Sequence, residues 1–109
     1  MEQRKVFCFD IDGTLCTNTD GKHDKAIPHK DRIEKINNLY DLGHRIILLT
    51  ARGQKTGLNL KNLTVKQLEE WGVKYHELSF NKPWADYYVD DRCLNLEFFY
   101  SPIYSPKNL

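Results

Sequence analysis

The sequence predicts an α/β protein with a central, mainly parallel sheet and helices on both faces, in a three-layer, Rossmann-like fold. Three observations predict this class: short apolar strands alternate with amphipathic helical segments, polar residues follow each strand, and glycines separate the segments. The chain has 109 residues, enough for one hydrophobic core but not for two. We therefore expect residues 1–109 to form a single domain without a large second lobe.

The first strand is predicted from the apolar run Val6-Phe7-Cys8-Phe9, which is typical of a central strand buried on both faces. The run leads directly into the acidic sequence Asp10-Ile11-Asp12-Gly13-Thr14. Residues 15–30 have no hydrophobic period and are rich in polar and turn-forming residues, which predicts a loop. We call this loop the flap, because its position makes it the first candidate for covering a ligand.

The first helix is predicted over residues 31–42, where apolar side chains recur three to four residues apart. Asp31 and Glu34 have capping-box spacing at its start, and Gly43 is placed to end it. The β-branched run at residues 45–49 then predicts the second strand. A strand, a helix and a parallel strand in succession imply a right-handed crossover.

The second helix is predicted from Thr64 and Gln67, which also have capping-box spacing, and it should end at Gly72. A helix start further upstream, near Leu60, is the alternative. Residues 53–61 are predicted to form the loop before this helix.

Two more strands are predicted in the last part of the chain, at residues 73–80 and 86–89. The segment 94–109 is aromatic and contains prolines, and its pattern gives no clear secondary structure. It could belong to the core or form an oligomer contact, and the sequence does not separate these alternatives.

Polar residues follow every predicted strand. In parallel sheets, ligands bind beyond the carboxyl ends of the strands, so these residues are candidates for one shared site. They are Asp10, Asp12, Gly13, Thr14, Thr50, Arg52, Asn81, Lys82, Asp90 and Asp91. Two carboxylates about 4 Å apart repel each other by roughly 4 kcal/mol at an effective dielectric constant of 20, so four together require a cation. Oxygen ligands with space for water and phosphate favour Mg²⁺.

The residue types in this cluster suit phosphoryl transfer, which depends on positioning and on stabilisation of charge. Asp10 could attack phosphorus and form an aspartyl phosphate. Asp12, two residues later, could protonate the leaving oxygen and then activate water. Thr50 can donate a hydrogen bond to a phosphoryl oxygen, and Lys82 supplies an ammonium group next to the rigid ring of Pro83.

The order of four motifs resembles that of the haloacid dehalogenase superfamily. The motifs are Asp10-Ile11-Asp12-Gly13-Thr14, Leu48-Leu49-Thr50, Lys82-Pro83 and Asp90-Asp91, and the resemblance spans roughly residues 6–92. Within it, residues 50–53, 67–78 and 82–86 look like those of short bacterial and phage members that lack a cap domain. A cap is also absent by length, because only 35 residues separate Thr14 from Thr50.

The resemblance implies a role for each acidic motif residue. Asp10 would be the nucleophile, and Asp12 the general acid and base that also gives its backbone carbonyl to Mg²⁺. Asp90 would be a metal ligand. Asp91 would be a second or outer-shell ligand, with a purely structural role as the alternative.

The same resemblance implies that Thr50 and Lys82 bind the phosphoryl group. Gly13 and Ala51 lie directly beside motif residues, and we expect them to contribute further phosphate contacts. These four residues would hold the phosphate while the aspartates act on it.

Other candidate residues carry weaker signals. Arg52 could contact a substrate anion, with a surface ion pair as an equal alternative. Trp84 could stack on a substrate ring, although packing in the core is favoured. The cysteines Cys8, Cys16 and Cys93 are odd in number and lack Cys-x-x-Cys spacing, so we expect apolar packing rather than disulfides or zinc, with Cys16 nearest the site.

Composition limits the partners. The 16 basic and 15 acidic residues are interspersed and give a net charge of +1, which argues against binding to nucleic acid or to anionic membranes. No run of about 20 apolar residues predicts a membrane span, and the cysteine usage favours the cytoplasm. The four histidines, His23 among them, lack ligand spacing and are predicted to be solvated or capping residues.

These patterns predict a magnesium-dependent phosphatase that acts on a small phosphorylated metabolite, such as a sugar phosphate or a nucleotide, with homo-oligomers left open. One alternative is a receiver domain that accepts a phosphoryl group. Motif order argues against it, because a receiver has its paired acids near the first strand and its lysine last. Another alternative is a catalytically idle accessory subunit that binds phosphosugars.

Overall fold

A computed structural model describes residues 3–54, 56–81 and 86–89 of the chain. Its elements are β1 (Val6–Asp10), α1 (Lys30–Asp41), β2 (Arg45–Leu49), α2 (Lys61–Glu70), β3 (Glu77–Ser79) and β4 (Tyr87–Val89), with a short 3-10 helix at His23–Lys25. The structure confirms the predicted parallel α/β fold. Neither described helix has the length and apolar content needed to cross a membrane.

The four strands form one sheet in the order β3-β2-β1-β4, and every neighbouring pair is parallel. β1 is flanked on both sides, with Phe9 opposite Leu48 of β2 and Val89 of β4. The chain places β2 and β3 on one side of β1 and β4 on the other. The carboxyl end of β1, where Asp10 lies, is therefore in the middle of the sheet edge.

The two faces of the sheet are covered differently. The main core combines Phe7, Phe9, Ile46 and Leu48 of the sheet with Ile33, Ile36 and Leu39 of α1 and Leu68 of α2. Both described helices therefore pack on the same face, as expected for two right-handed crossovers made in one direction. On the other face, Cys8 and Ile47 are only 2% and 4% exposed. Helices were predicted on both faces of the sheet. In the described residues both helices lie on the first face, and a helix on the other face stays a prediction.

Both helices end as predicted, at Gly43 and Gly72. These glycines have φ angles of 96° and 71°, which other residues rarely adopt. The N–H of Val73 donates to the carbonyl of Leu68 at 3.0 Å, which is part of a Schellman helix end. Val73 therefore belongs to the end of α2, and β3 begins only at Glu77 and is shorter than the predicted strand at 73–80.

Both predicted capping boxes are wrong. α1 begins one residue before Asp31, and its N-cap His29 makes no capping hydrogen bond through its side chain. α2 begins at Lys61, which confirms the upstream start near Leu60. Thr64 lies one turn inside the helix, where its hydroxyl donates to the Leu60 carbonyl at 2.8 Å instead of capping an end.

The flap is closed at its base by backbone hydrogen bonds. The N–H of His29 donates to the carbonyl of Leu15 at 2.8 Å, and the N–H of Thr17 donates to that of Ile27 at 2.9 Å. Between these bonds the chain is irregular except for its 3-10 turn. The flap is therefore a loop with fixed ends beside the carboxyl end of β1.

Candidate active site

Asp10 and Asp12 lie together at the carboxyl end of β1, where both line a cleft of about 970 Å³. Asp10 is the last residue of β1 and is half-buried. The N–H of Ile11 donates to the carbonyl of Leu49 at 3.1 Å and continues the pairing with β2 past Asp10. The predicted nucleophile is thus held on a rigid strand end.

A tight turn after β1 returns the chain toward the site. The Ile11 carbonyl accepts the N–H of Leu15 at 2.9 Å, and Gly13 has a φ of 86°, in the region that favours glycine. The N–H of Gly13 donates to the carbonyl of Cys16 at 2.9 Å. Gly13 therefore shapes the turn with its N–H bonded inside the protein, and its contact with a phosphoryl oxygen stays a prediction.

The lining of the cleft has two unlike parts. The flap contributes the exposed carboxylates of Asp20 and Asp24. The loop before α2 and the first turn of α2 contribute the apolar side chains of Leu58, Leu60 and Leu63. A bound molecule would meet hydrogen-bond acceptors in one part and hydrocarbon in the other.

Thr50 follows β2 and is 1% exposed. Its N–H donates to the Ser79 carbonyl at 3.0 Å, and its hydroxyl accepts the N–H of Arg52 at 3.0 Å. Ala51 is exposed and lines the cleft. The fold thus brings Thr50 and Ala51 to the same end of the sheet as Asp10.

The Arg52 side chain is fully buried and pairs with Asp12. Its Nε–H donates to one Asp12 carboxylate oxygen at 3.0 Å, and its Nη2 donates to the other at 2.9 Å. Such two-point contacts fix the plane of a carboxylate as well as its position. The ion pair considered for Arg52 is therefore present, but it is buried and not at the surface.

Cys16 borders the site, as predicted. Its thiol is fully buried, 3.6 Å from both the Ile11 carbonyl and an Asp12 carboxylate oxygen. Burial, followed by the nearby negative charge of Asp12, raises the pKa of the Cys16 thiol to about 12. The thiol therefore stays protonated at neutral pH and does not serve as a nucleophile.

His23 is a site residue that the sequence patterns miss. The flap places its Nδ1 3.6 Å from an Asp12 oxygen, and the residue lines the cleft. Within the described part of the chain, this buried Nδ1 has no hydrogen-bond partner. His23 was expected to be solvated or capping because it has no ligand spacing. Only the folded path of the flap brings it to Asp12.

Residues 7–70 match the model of the haloacid dehalogenase-like hydrolases. The chain belongs to this family. The match covers all but the first residue of β1, together with the flap, α1, β2 and α2, and so includes Asp10, Asp12 and Thr50. Membership in a hydrolase family decides against the receiver domain considered from the sequence.

Two solved structures resemble this haloacid dehalogenase-like hydrolase. A crystal structure of a structural-genomics target from Vibrio cholerae aligns with a TM-score of 0.75 and 26% identity, over 95% of this chain and 92% of that one. A conserved protein from Bacteroides thetaiotaomicron aligns with a TM-score of 0.65 and 20% identity, over 83% of this chain and 78% of that one. A comparison with curated proteins found no match.

Four predicted site residues of this hydrolase lie outside the described residues: Lys82, Trp84, Asp90 and Asp91. Within the described ranges, no three acidic, histidine or cysteine side chains form a group that could hold a metal ion. Asp10 and Asp12 supply hard oxygen donors of the kind that Mg²⁺ prefers. These donors fit the predicted metal, but they make up only part of a coordination sphere.

Proposed function

We propose that this hydrolase removes phosphate from small phosphomonoesters in a magnesium-dependent reaction through an aspartyl phosphate on Asp10. The observation that carries the proposal is the pairing at the end of β1. Asp10 and Asp12 share one cleft, and a buried arginine holds Asp12 in a fixed orientation. Two carboxylates in fixed and different surroundings can take different roles in catalysis.

In the proposed reaction, a carboxylate oxygen of Asp10 attacks phosphorus while the bond from phosphorus to the leaving oxygen breaks. Asp12 gives a proton to that leaving oxygen and becomes a carboxylate. The Asp12 carboxylate then takes a proton from water as the water attacks phosphorus, which releases inorganic phosphate and regenerates both side chains. Thr50, Ala51 and Lys82 would hold the phosphoryl oxygens.

The residues proposed to hold Mg²⁺ are the Asp10 carboxylate, the Asp12 backbone carbonyl and Asp90, with Asp91 as a further ligand. β4 ends at Val89, opposite Phe9 of β1, and Asp90 follows directly in the sequence. When bound, Mg²⁺ would offset the negative charge of these carboxylates and of the phosphoryl group.

The lining of the cleft supports a preference among monoesters. Asp20 and Asp24 can accept hydrogen bonds from hydroxyl groups, while the three leucines suit a C–H face. A second phosphate would lie near the flap carboxylates and be repelled by them. We therefore expect sugar monophosphates to be better substrates than sugar bisphosphates or nucleoside diphosphates.

Phosphate release from a panel of phosphomonoesters, with and without Mg²⁺, tests the proposal directly. Asp10→Asn removes the attacking oxygen charge, so we expect turnover to fall by at least about 1,000-fold. Asp31→Asn, an exposed change on α1, is the matched control and should keep wild-type turnover. Unchanged turnover in Asp10→Asn would falsify the covalent mechanism. A folded wild-type protein that binds the esters without releasing phosphate would instead favour the accessory-subunit alternative.

A further inference from the structure

The Arg52 guanidinium uses all of its hydrogen-bonding capacity inside the protein. Arginine has five N–H donors, and Arg52 makes five contacts. Two go to Asp12, one to the Cys16 sulfur at 3.8 Å, one to the Thr64 hydroxyl at 3.2 Å and one to the Gln67 amide oxygen at 2.5 Å. A side chain used so completely cannot turn toward a ligand without leaving buried donors unpaired.

The two partners on α2 are themselves fixed by further bonds. The Thr64 hydroxyl gives its single proton to the Leu60 carbonyl, so toward Arg52 it can only accept. The Gln67 amide nitrogen donates to the His23 carbonyl at 2.6 Å, so its oxygen must face Arg52. Gln67 is 7% exposed and Thr64 is fully buried, which keeps water from replacing these contacts.

These bonds connect the flap to the catalytic acid. Gln67 holds the His23 backbone with one end of its amide and Arg52 with the other, while Arg52 holds Asp12. The His23 ring lies 3.6 Å from an Asp12 oxygen, which is beyond hydrogen-bond distance, so the bonded connection from the flap to Asp12 runs through Gln67 and Arg52. A shift of the flap would therefore pull on the same amide that orients Arg52.

We propose that Arg52 and Gln67 are positioning residues, which set the orientation of the Asp12 carboxylate for proton transfer and tie that orientation to the flap. This inference rests on the proposed function, since it assigns the support of a proton donor. The pair also favours the negative charge that forms on Asp12 as its proton moves to the leaving oxygen. Each carboxylate oxygen has two lone pairs, so the two bonds from Arg52 leave room for the transferred proton.

Leaving-group dependence separates positioning from a merely structural role. p-Nitrophenolate leaves without a proton, whereas the alkoxide of glycerol phosphate needs one from Asp12. We expect Gln67→Met and Arg52→Lys to lower kcat/KM for glycerol phosphate about tenfold more than kcat/KM for p-nitrophenyl phosphate, because kcat/KM reports the step in which the leaving oxygen departs and not the later hydrolysis of the aspartyl phosphate. Arg52→Ala should widen this ratio to about 100-fold, within the usual contribution of a general acid.

Asn37→Leu is the matched control. The Asn37 amide also makes two cross-links, donating to the Gly72 carbonyl at 2.9 Å and accepting from the Lys74 N–H at 2.8 Å, but these cross-links join α1 to the end of α2 and reach neither Asp12 nor Arg52. It should lower stability without changing the ratio of the two kcat/KM values. Melting curves of every variant show whether it is folded at the assay temperature.

The results distinguish the two proposals. Equal losses on both esters in Gln67→Met and Arg52→Lys overturn the positioning role, while hydrolysis that depends on Asp10 leaves the proposed function standing. If wild-type protein hydrolyses neither ester, or Asp10→Asn stays active, the proposed function fails and the positioning role fails with it.

Discussion

Two ion pairs of equal length lie in opposite surroundings in this molecule. Arg52 and Asp12 approach to 2.9 Å with side chains that are 0% and 19% exposed. Lys74 and Asp41 also approach to 2.9 Å, but their side chains are 49% and 55% exposed. Water can reach both members of the second pair but not Arg52 of the first, so the same distance corresponds to very different contributions to stability.

The two ion pairs also differ in the parts of the fold that they connect. The buried pair is bound into α2, the flap and the turn after β1, whereas the exposed pair joins the end of α1 to the residues after α2. Removing Asp12 would leave the fully buried Arg52 charge without solvent, and removing Arg52 leaves Asp12 with only the water that reaches it through the cleft. Removing one partner of the exposed pair leaves a hydrated side chain.

Among the variants that test this comparison, Arg52→Ala should have the largest effect on stability. It leaves the Asp12 carboxylate and the Gln67 amide without their partner, and we expect the free energy of unfolding to fall by about 3–5 kcal/mol. Urea denaturation measures this change. Arg45→Ala is the matched control, because Arg45 pairs with Glu77 at 3.1 Å while 39% exposed, and it should cost less than about 1 kcal/mol. Equal losses of unfolding free energy in Arg52→Ala and Arg45→Ala would show that burial does not set the contribution of an ion pair in this protein.

The reactivity of the Cys16 thiol tests the surroundings of the buried ion pair. A thiol with a pKa of about 12 has little thiolate at pH 8, so we expect alkylation by iodoacetamide to be about 1,000-fold slower than for an ordinary cysteine. The rate should rise as the pH increases, and unfolding in urea should restore the ordinary rate. Peptide mapping by mass spectrometry, in magnesium-free buffer, follows Cys16 itself. Rapid labelling of the folded protein at pH 8 would contradict this assignment.

The exposed pair should show the smallest effect. A double-mutant cycle with Lys74→Ala and Asp41→Asn should give a coupling energy of about 0.2–1 kcal/mol in low salt. In 1 M salt the coupling should nearly vanish, because the Debye length falls to about 3 Å. A coupling above about 2 kcal/mol that persists in high salt would contradict the expectation that this exposed pair is weak.

The sheet and the helix ends were predictable because their signals are local. The run 45–49 is apolar from Ile46 to Leu49 and includes two β-branched isoleucines, and it forms β2 with the predicted bounds. Gly43 and Gly72 each follow the C-cap residue of their helix, and their positive φ angles are ones that other residues rarely adopt. In both cases, neighbouring residues alone decide the structure.

The support of the site was not predictable because it depends on distant contacts. Thr64 and Gln67 match a helix-start pattern, yet both serve a buried arginine that precedes them in the sequence. Capping boxes and buried networks use the same short polar residues, so spacing cannot separate them. His23 reaches Asp12 only through the path of the flap. A buried arginine needs several acceptors, and that demand is the signal that could have pointed to α2.

The closed base of the flap has a consequence for how this protein family can vary. The bonds from His29 to Leu15 and from Thr17 to Ile27 hold the two ends of the loop together, independently of what lies between them. Insertions, deletions or exchanges between residues 18 and 26 can therefore remodel the entrance to the cleft while Asp10 stays fixed at the end of β1. The flap can therefore vary as a unit without disturbing the strand end, provided that each new version still offers a backbone carbonyl to Gln67.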